Sequence, residues 1–273
     1  AASTDRIKFE IVDANGVVIR KLDGSGRAGL NRVAWDLRYD GPAQVELRTI
    51  PPDNPYIWEE ARFKGRDTRP IVHWGLQRPQ RQGPIAAPGR YLVRMTVGDQ
   101  VYPRSLDVIK DPKLPAPPSD LVASTTAQIR IRDDINRTVA IINRLEVTRK
   151  QIEDLLKANA GKKAAEQALR ALDQKMMAIE LQLLSRTEMH SDDKWYVEAY
   201  KVYLNLVWLG GMIGGGASDV QGGADHRPTD ASLEALAWME NDLAAAERDY
   251  ATLMEKDLPA FNKANAGMKF AIK

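Results

Sequence analysis

Residues 29–38, Gly29-Leu30-Asn31-Arg32-Val33-Ala34-Trp35-Asp36-Leu37-Arg38, decide how this chain is read. Val33, Trp35 and Leu37 alternate with Ala34 and Asp36, the period of a strand with one buried face. The alternation predicts a β-strand with Trp35 and Leu37 in the core. Asp36 and Arg38 would then form an ion pair or a strand-end anchor. Before this stretch, Ile7, Phe9 and Ile11 alternate with Lys8 and Glu10, and Asn15-Gly16 supplies a hairpin turn before a return strand over 17–20. Beyond it, residues 89–97 carry Tyr91, Val93, Met95 and Val97 in alternation. Gly98-Asp99 turns the chain into a further strand over 101–109. These strands predict an Ig-like β-sandwich over residues 1–110.

Residues 40–88 interrupt the pattern with eight prolines and no sustained periodicity. A long irregular segment inside a compact domain is usually functional. It holds Tyr56, Trp58, Arg62, Phe63, Arg66, Arg69 and Trp74, and aromatic and arginine side chains are enriched at the anchors of protein interfaces. The bland alternative is a loop folded back over the sandwich with its aromatics buried and its arginines solvated.

Asp111-Pro112, Pro115, Pro117 and Pro118 make 111–118 a stiff linker. The remainder, 119–273, is expected to be an antiparallel helical bundle of three or four helices, the second half of an α+β chain. Ser119 is the expected N-cap of the first. Ile131, Ile135, Thr138, Ile142, Leu145, Arg149, Ile152 and Leu156 step by four and three, with two polar interruptions. Ala165, Leu169, Leu172, Met176, Ile179 and Leu183 repeat the spacing after a turn at Gly161. A third helix is expected over 192–209 with Trp195, Tyr196, Tyr200 and Tyr203. A glycine loop over 210–223 follows, then a fourth helix from Pro228 to Pro259.

The chemistry-bearing residues form no catalytic pattern. The 273 residues include no cysteine and only His73, His190 and His226, at unrelated spacings. No i, i+4 histidine pair marks a helical zinc site. Asp219, Asp225 and His226 lack an ordered ligand pattern, so neither metal nor cofactor is expected. The glycine loop lacks the Lys-Ser/Thr of a phosphate cradle, and no G-x-S-x-G elbow is present. Adjacent acids such as Glu59-Glu60 and Asp192-Asp193 do not face one another on a helix. No apolar run is long enough to cross a bilayer. The net charge of +2 divides into +5 over 1–118 and −3 over 119–273, far from that of a nucleic-acid binder.

Residues 29–39, GLNRVAWDLRY, resemble the G-x-(N/H)-R-(F/V)-x-W-D-L-R-(Y) strand of exported bacterial sortilin-like or BNR-repeat proteins, often labelled glycosyl hydrolases. Residues 88–97, PGRYLVRMTV, resemble the P-G-x-Y-x-V-x-L-x-V strand of that family, and Asp111-Pro112 its closing pair. Ala224-Asp225 and Pro228-Thr229 are similar to its C-terminal segment. The resemblance covers the C-terminal part of those proteins: an Ig-like domain like that of flagellar hook-capping proteins, then a helical hairpin or bundle. Propeller repeats and Asp-box motifs do not occur in these 273 residues, so the resemblance transfers no catalytic residue.

It implies a non-catalytic, extracytoplasmic or periplasmic module that binds or scaffolds proteins. Such a module would suit an accessory subunit on the periplasmic face of a membrane-bound complex, for example an energy-converting assembly, close to a membrane surface but without a transmembrane segment. The alternative is a carbohydrate-binding or glycosidase-associated module using Trp58 or Trp74. The start, AAST, fits a processed terminus or a fragment boundary equally.

Overall fold

The computed structural model describes residues 6–191, 196–217, 221–266 and 272. Four strands, β1 (Ile7–Val12), β2 (Val18–Gly24), β3 (Gly89–Val97) and β4 (Gln100–Val108), form one antiparallel sheet in the order β2-β1-β3-β4. The register places Ile7, Phe9 and Ile11 opposite Val97, Met95 and Val93. Phe9 lies opposite Leu22 on the other side, and Tyr91 opposite Leu106. One face is therefore apolar along its centre, with Arg20 on β2 and Arg104 on β4 at its two edges. The other carries Lys8, Glu10, Arg94 and Thr96, with Arg94 and Glu10 ion-paired at 2.8 Å.

The described residues form one sheet rather than two. Residues 29–38 do not become a strand; Arg38 makes a single bridge to Ile85. Leu37 adopts a left-handed backbone (φ 55°) that ends any strand there, and its side chain is 42% exposed rather than in the core. Trp35 does pack, edge-on to Tyr91 at 5.4 Å, with its Nε1–H donating to the Arg38 carbonyl. Asp36 forms its ion pair with Arg20 at 3.4 Å rather than with Arg38, from which it accepts the backbone N–H at 3.2 Å. Ile11, Ile19, Ala86 and Tyr91 close a small core under Trp35 and Tyr39.

The helical part opens with α1 (Pro118–Ala158), 41 residues long. Its N-cap is Pro117 rather than Ser119, and Pro118 occupies the first turn, where its missing N–H has no partner to lose. Every residue of the expected seam from Ile131 to Ile152 is buried, including Thr138 and Arg149. Gly161, at φ 84°, turns the chain into α2 (Lys163–Leu183).

The expected third helix is broken. Residues 192–195, Trp195 included, lie outside the described residues. A short α3 (Arg186–Met189) precedes them, and α4 (Val202–Ile213) follows. α4 continues through Gly210 and Gly211, so the expected glycine loop is helical at its start. Close backbone packing explains Gly214 and Gly222: a Cβ on Gly222 would stand 1.9 Å from the Gly214 carbonyl oxygen.

α5 (Asp230–Thr252) starts at a Thr229 cap. Pro259 does not end it, because a π turn over Leu253–Asp257 leads into α6 (Leu258–Ala264), where the proline sits in the first turn.

The insertion 40–88 packs on the helices, not over a sandwich. Val45, Leu47, Ile71 and Leu76 belong to the same buried cluster as Ile131, Leu145, Leu169, Leu206 and Leu243. Its backbone has almost no ladder of its own, so α1 supplies acceptors. Asn136 accepts from the Ala43 N–H (2.7 Å), and Asn143 from Glu46 (2.8 Å). Glu146 accepts from Arg48, from Thr49 (2.8 Å) and from the Thr49 hydroxyl (2.6 Å), and Glu153 from Ile50 (2.7 Å). Gln128 accepts from Ile85 (3.0 Å).

Glu146 also meets Arg149, which binds Glu180 at 2.5 Å and Asp173 at 2.9 Å across the hairpin. Truncating one member of such a buried network leaves its partners unpaired. Glu146→Ala is expected to cost about 3–5 kcal/mol. Asn136→Ala, whose bond to Ala43 is exposed, should cost about 1 kcal/mol. Urea unfolding midpoints of the two variants measure the gradient.

Candidate binding surface

The seven aromatic and basic residues of the insertion do not form one surface. Phe63 and Arg69 are buried. Arg69 donates to the Met189 carbonyl, the Ser191 hydroxyl (3.0 Å) and the Thr49 carbonyl (3.2 Å), fastening the insertion to the chain after α3. Burial lowers its pKa to about 10, against the pull of Glu146 and Glu180, so it keeps its charge at neutral pH. Arg62 lies over the Phe63 ring at 4.5 Å, pairs with Glu60 and donates to the Ser191 carbonyl.

Trp58 stacks near Arg69, 5.8 Å from guanidinium to ring, and lines a cleft of about 440 Å³ with Arg48, Arg66, Asp67 and Lys150. Tyr56 and Trp74 are 67% and 76% exposed. The structure therefore brings Trp58, Arg66 and Arg69 together and pairs Arg62 with Phe63. Tyr56 and Trp74 make no ring contact with those five among the described residues.

A larger opening lies on the apolar face of the sheet. Trp35 and Tyr39 cover one end of that face. The rest borders a groove of about 610 Å³ lined by Ile7, Phe9, Leu22, Val33, Met95 and Leu106, among others, with Ser25 and Asn31 as the polar side chains. Mostly apolar walls with few polar groups are the usual make-up of a binding cleft. The strand periodicity shows which residues share this face. That the face is only half covered follows from the failure of 29–38 to pair, which no local pattern announces.

The titratable groups are committed elsewhere. Burial pushes Glu180 up to about 8, helped by Glu146 and opposed by Arg149. Burial likewise raises Glu188 to about 8, opposed by hydrogen bonds from the backbone at Ser185 and Lys201. His73 is buried against Tyr200. Among the described residues no three His, Cys, Asp or Glu side chains gather as metal ligands, and no helix is long and apolar enough to cross a membrane. Asp192, Asp193 and Asp219 lie outside the described residues. Comparison of the chain with protein-family models, curated proteins and solved structures returned no match.

The raised carboxyls fix a pH dependence. Both favour the protonated form in the fold, so their contribution is full below the ordinary value of 4.5 and is lost as pH rises through about 8. Thermal unfolding temperature is expected to fall from pH 5 to pH 8 for this reason. Glu180→Gln, which keeps the neutral shape, should reduce that slope and raise the unfolding temperature at pH 8 relative to the parent chain.

Proposed function

We propose that the chain is a non-catalytic, extracytoplasmic protein-binding module, an accessory or scaffolding part of a larger assembly. Its binding surface is the uncovered part of the sheet's apolar face. The groove carries this reading. A contiguous apolar surface kept open to water marks an interaction site. The buried acids support it from the other side: Glu146, Glu180 and Asp173 all engage Arg149, which gives them a structural task. The Ig-like character and the periplasmic location belong to the same proposal, drawn from the resemblance of residues 29–39 and 88–97; a membrane-bound host complex is one assembly that such a module would suit.

Leu106 lines the groove on an edge strand and is itself 37% exposed, so Leu106→Glu places a charge there with little burden on the fold. Purification from membrane and soluble fractions is expected to show about tenfold less of a specific co-purifying protein for this variant, the effect of losing one interface anchor. Tyr56→Ala and Trp74→Ala should retain it. The opposite pattern would move the contact to the insertion. Retention by all three variants would overturn the reading.

A carbohydrate-binding function is favoured by one observation, the Trp58 indole in the cleft with Arg48, Arg66, Asp67 and Lys150. Binding on a glycan array that is lost in Trp58→Ala would establish it.

A further inference from the structure

The groove lies beside a strip of chain shaped like a strand but lacking a partner. Residues 30–36 run without turn or bend. Val33 and Trp35 are half-buried, while Arg32, Ala34 and Asp36 are exposed, which is the alternation of a pleated strand. Yet no backbone N–H or C=O from 30 to 36 bonds to another backbone group among the described residues. The Asn31 side chain turns back to the Arg27 and Gly29 carbonyls instead. At the end of the strip the Leu37 carbonyl accepts from Ala86, so the strip is anchored where it leaves the groove.

The edges of the four-stranded sheet are less available. The outer edge of β2 is engaged at its start, where the Asp40 N–H donates to the Ile19 carbonyl at 2.7 Å. On β4, the tight turn between Val97 and Gln100 makes Arg94–Pro103 a non-hydrogen-bonded pair. Pro103 thus removes a donor that would face outward and interrupts the free edge. An arriving strand finds its open backbone at 30–36, next to the open apolar wall.

We propose that the groove receives an extended β-strand of a partner protein, which hydrogen-bonds to the backbone of residues 31–36 and sets alternate aliphatic side chains against Phe9, Leu22, Met95 and Leu106. This rests on the reading of the open sheet face as a protein-binding surface. Strand addition of this kind takes affinity from main-chain hydrogen bonds and specificity from the pockets for alternate side chains. A free apolar molecule would fill the groove but leave the strip's peptide groups unpaired. Charge completes the description of the partner. Arg27 and Arg32 are exposed beside the groove and have no carboxylate partner among the described residues, so acidic side chains suit the partner strand's outward positions.

Amide hydrogen exchange tests the pairing, with the synthetic peptide TVEVTVEVT as probe and TVEVPVEVT as its strand-breaking control. The alternating peptide is expected to slow exchange at alternate amides of 31–36 by about tenfold or more, and the control is not. Ala34→Pro alters an exposed position outside the four strands. It should leave the unfolding temperature unchanged and abolish the protection; Leu106→Glu should weaken it.

Absence of protection up to about 1 mM peptide, or equal protection by both peptides, overturns the proposal. Protection that appears with protein concentration alone would assign the groove to a second copy of this chain and likewise overturn it. If the co-purifying protein is lost in Leu106→Glu but kept in Ala34→Pro, the apolar surface stands and strand pairing falls.

Discussion

One face of α1 holds the insertion in place by accepting the hydrogen bonds that the insertion cannot make to itself. A segment without helix or ladder must find partners for its backbone donors wherever it is covered. Gln128, Asn136, Asn143, Glu146 and Glu153 lie within about 100° of one another around the helix axis, and each accepts from the backbone between residues 43 and 85. Asn143 also donates to the Gln44 carbonyl. The helix acts as a strand edge does, with side-chain oxygens replacing carbonyls. Fixed this way, the insertion buries Val45, Leu47, Ile71 and Leu76 against the bundle.

The charged groups at the middle of this contact explain its specificity better than its strength. A buried ion cluster gains little over an apolar core of the same volume, because desolvation offsets the attraction. Arg149 has three carboxylates within reach, and Thr49 of the insertion joins them through Glu146. Only one placement of the insertion satisfies that arrangement. Shifting residues 48 and 49 along the helix would strand Glu146 in the interior. The same logic applies to Arg69, whose guanidinium spans Thr49 and the chain after α3.

The sheet is joined to the bundle through the two ends of the insertion. Arg38 bridges to Ile85 and donates to the Gly83 carbonyl, while Ile85 receives Thr125 and gives to Gln128 of α1. Arg38 also approaches the tight glycine packing after α4, where a Cβ on Gly215 would meet its Nη2 at 2.6 Å. Burial lowers the Arg38 pKa, with Asp36 opposing. The Trp-Asp-Leu-Arg segment therefore divides its work: Trp35 closes one end of the sheet, and Arg38 ties the sheet to the helices. The rest of the apolar face is left without a second layer.

The periodicities of the sequence determined four strands, the α1–α2 hairpin and its buried seam, since these depend on neighbours two, three or four residues apart. Asn15-Gly16, Gly98-Asp99 and Gly161 marked their turns correctly for the same local reason. Residues 29–38 show the limit of that logic: they alternate like a strand, but a strand exists only where another lies beside it, and Leu37 turns away before any partner is met. Phe63 and Arg69 look like Trp74 in the sequence, aromatic and basic in a proline-rich loop. Only the tertiary path of the insertion, which brings Arg69 to Met189 and Ser191, buries the first two and exposes the third. Asn136, Asn143 and Glu153 read as an ordinary solvated helix face, because nothing within a few residues reveals the backbone about a hundred positions earlier that they hold. Tertiary structure alone decided where the insertion lies, and with it which apolar surface was left open.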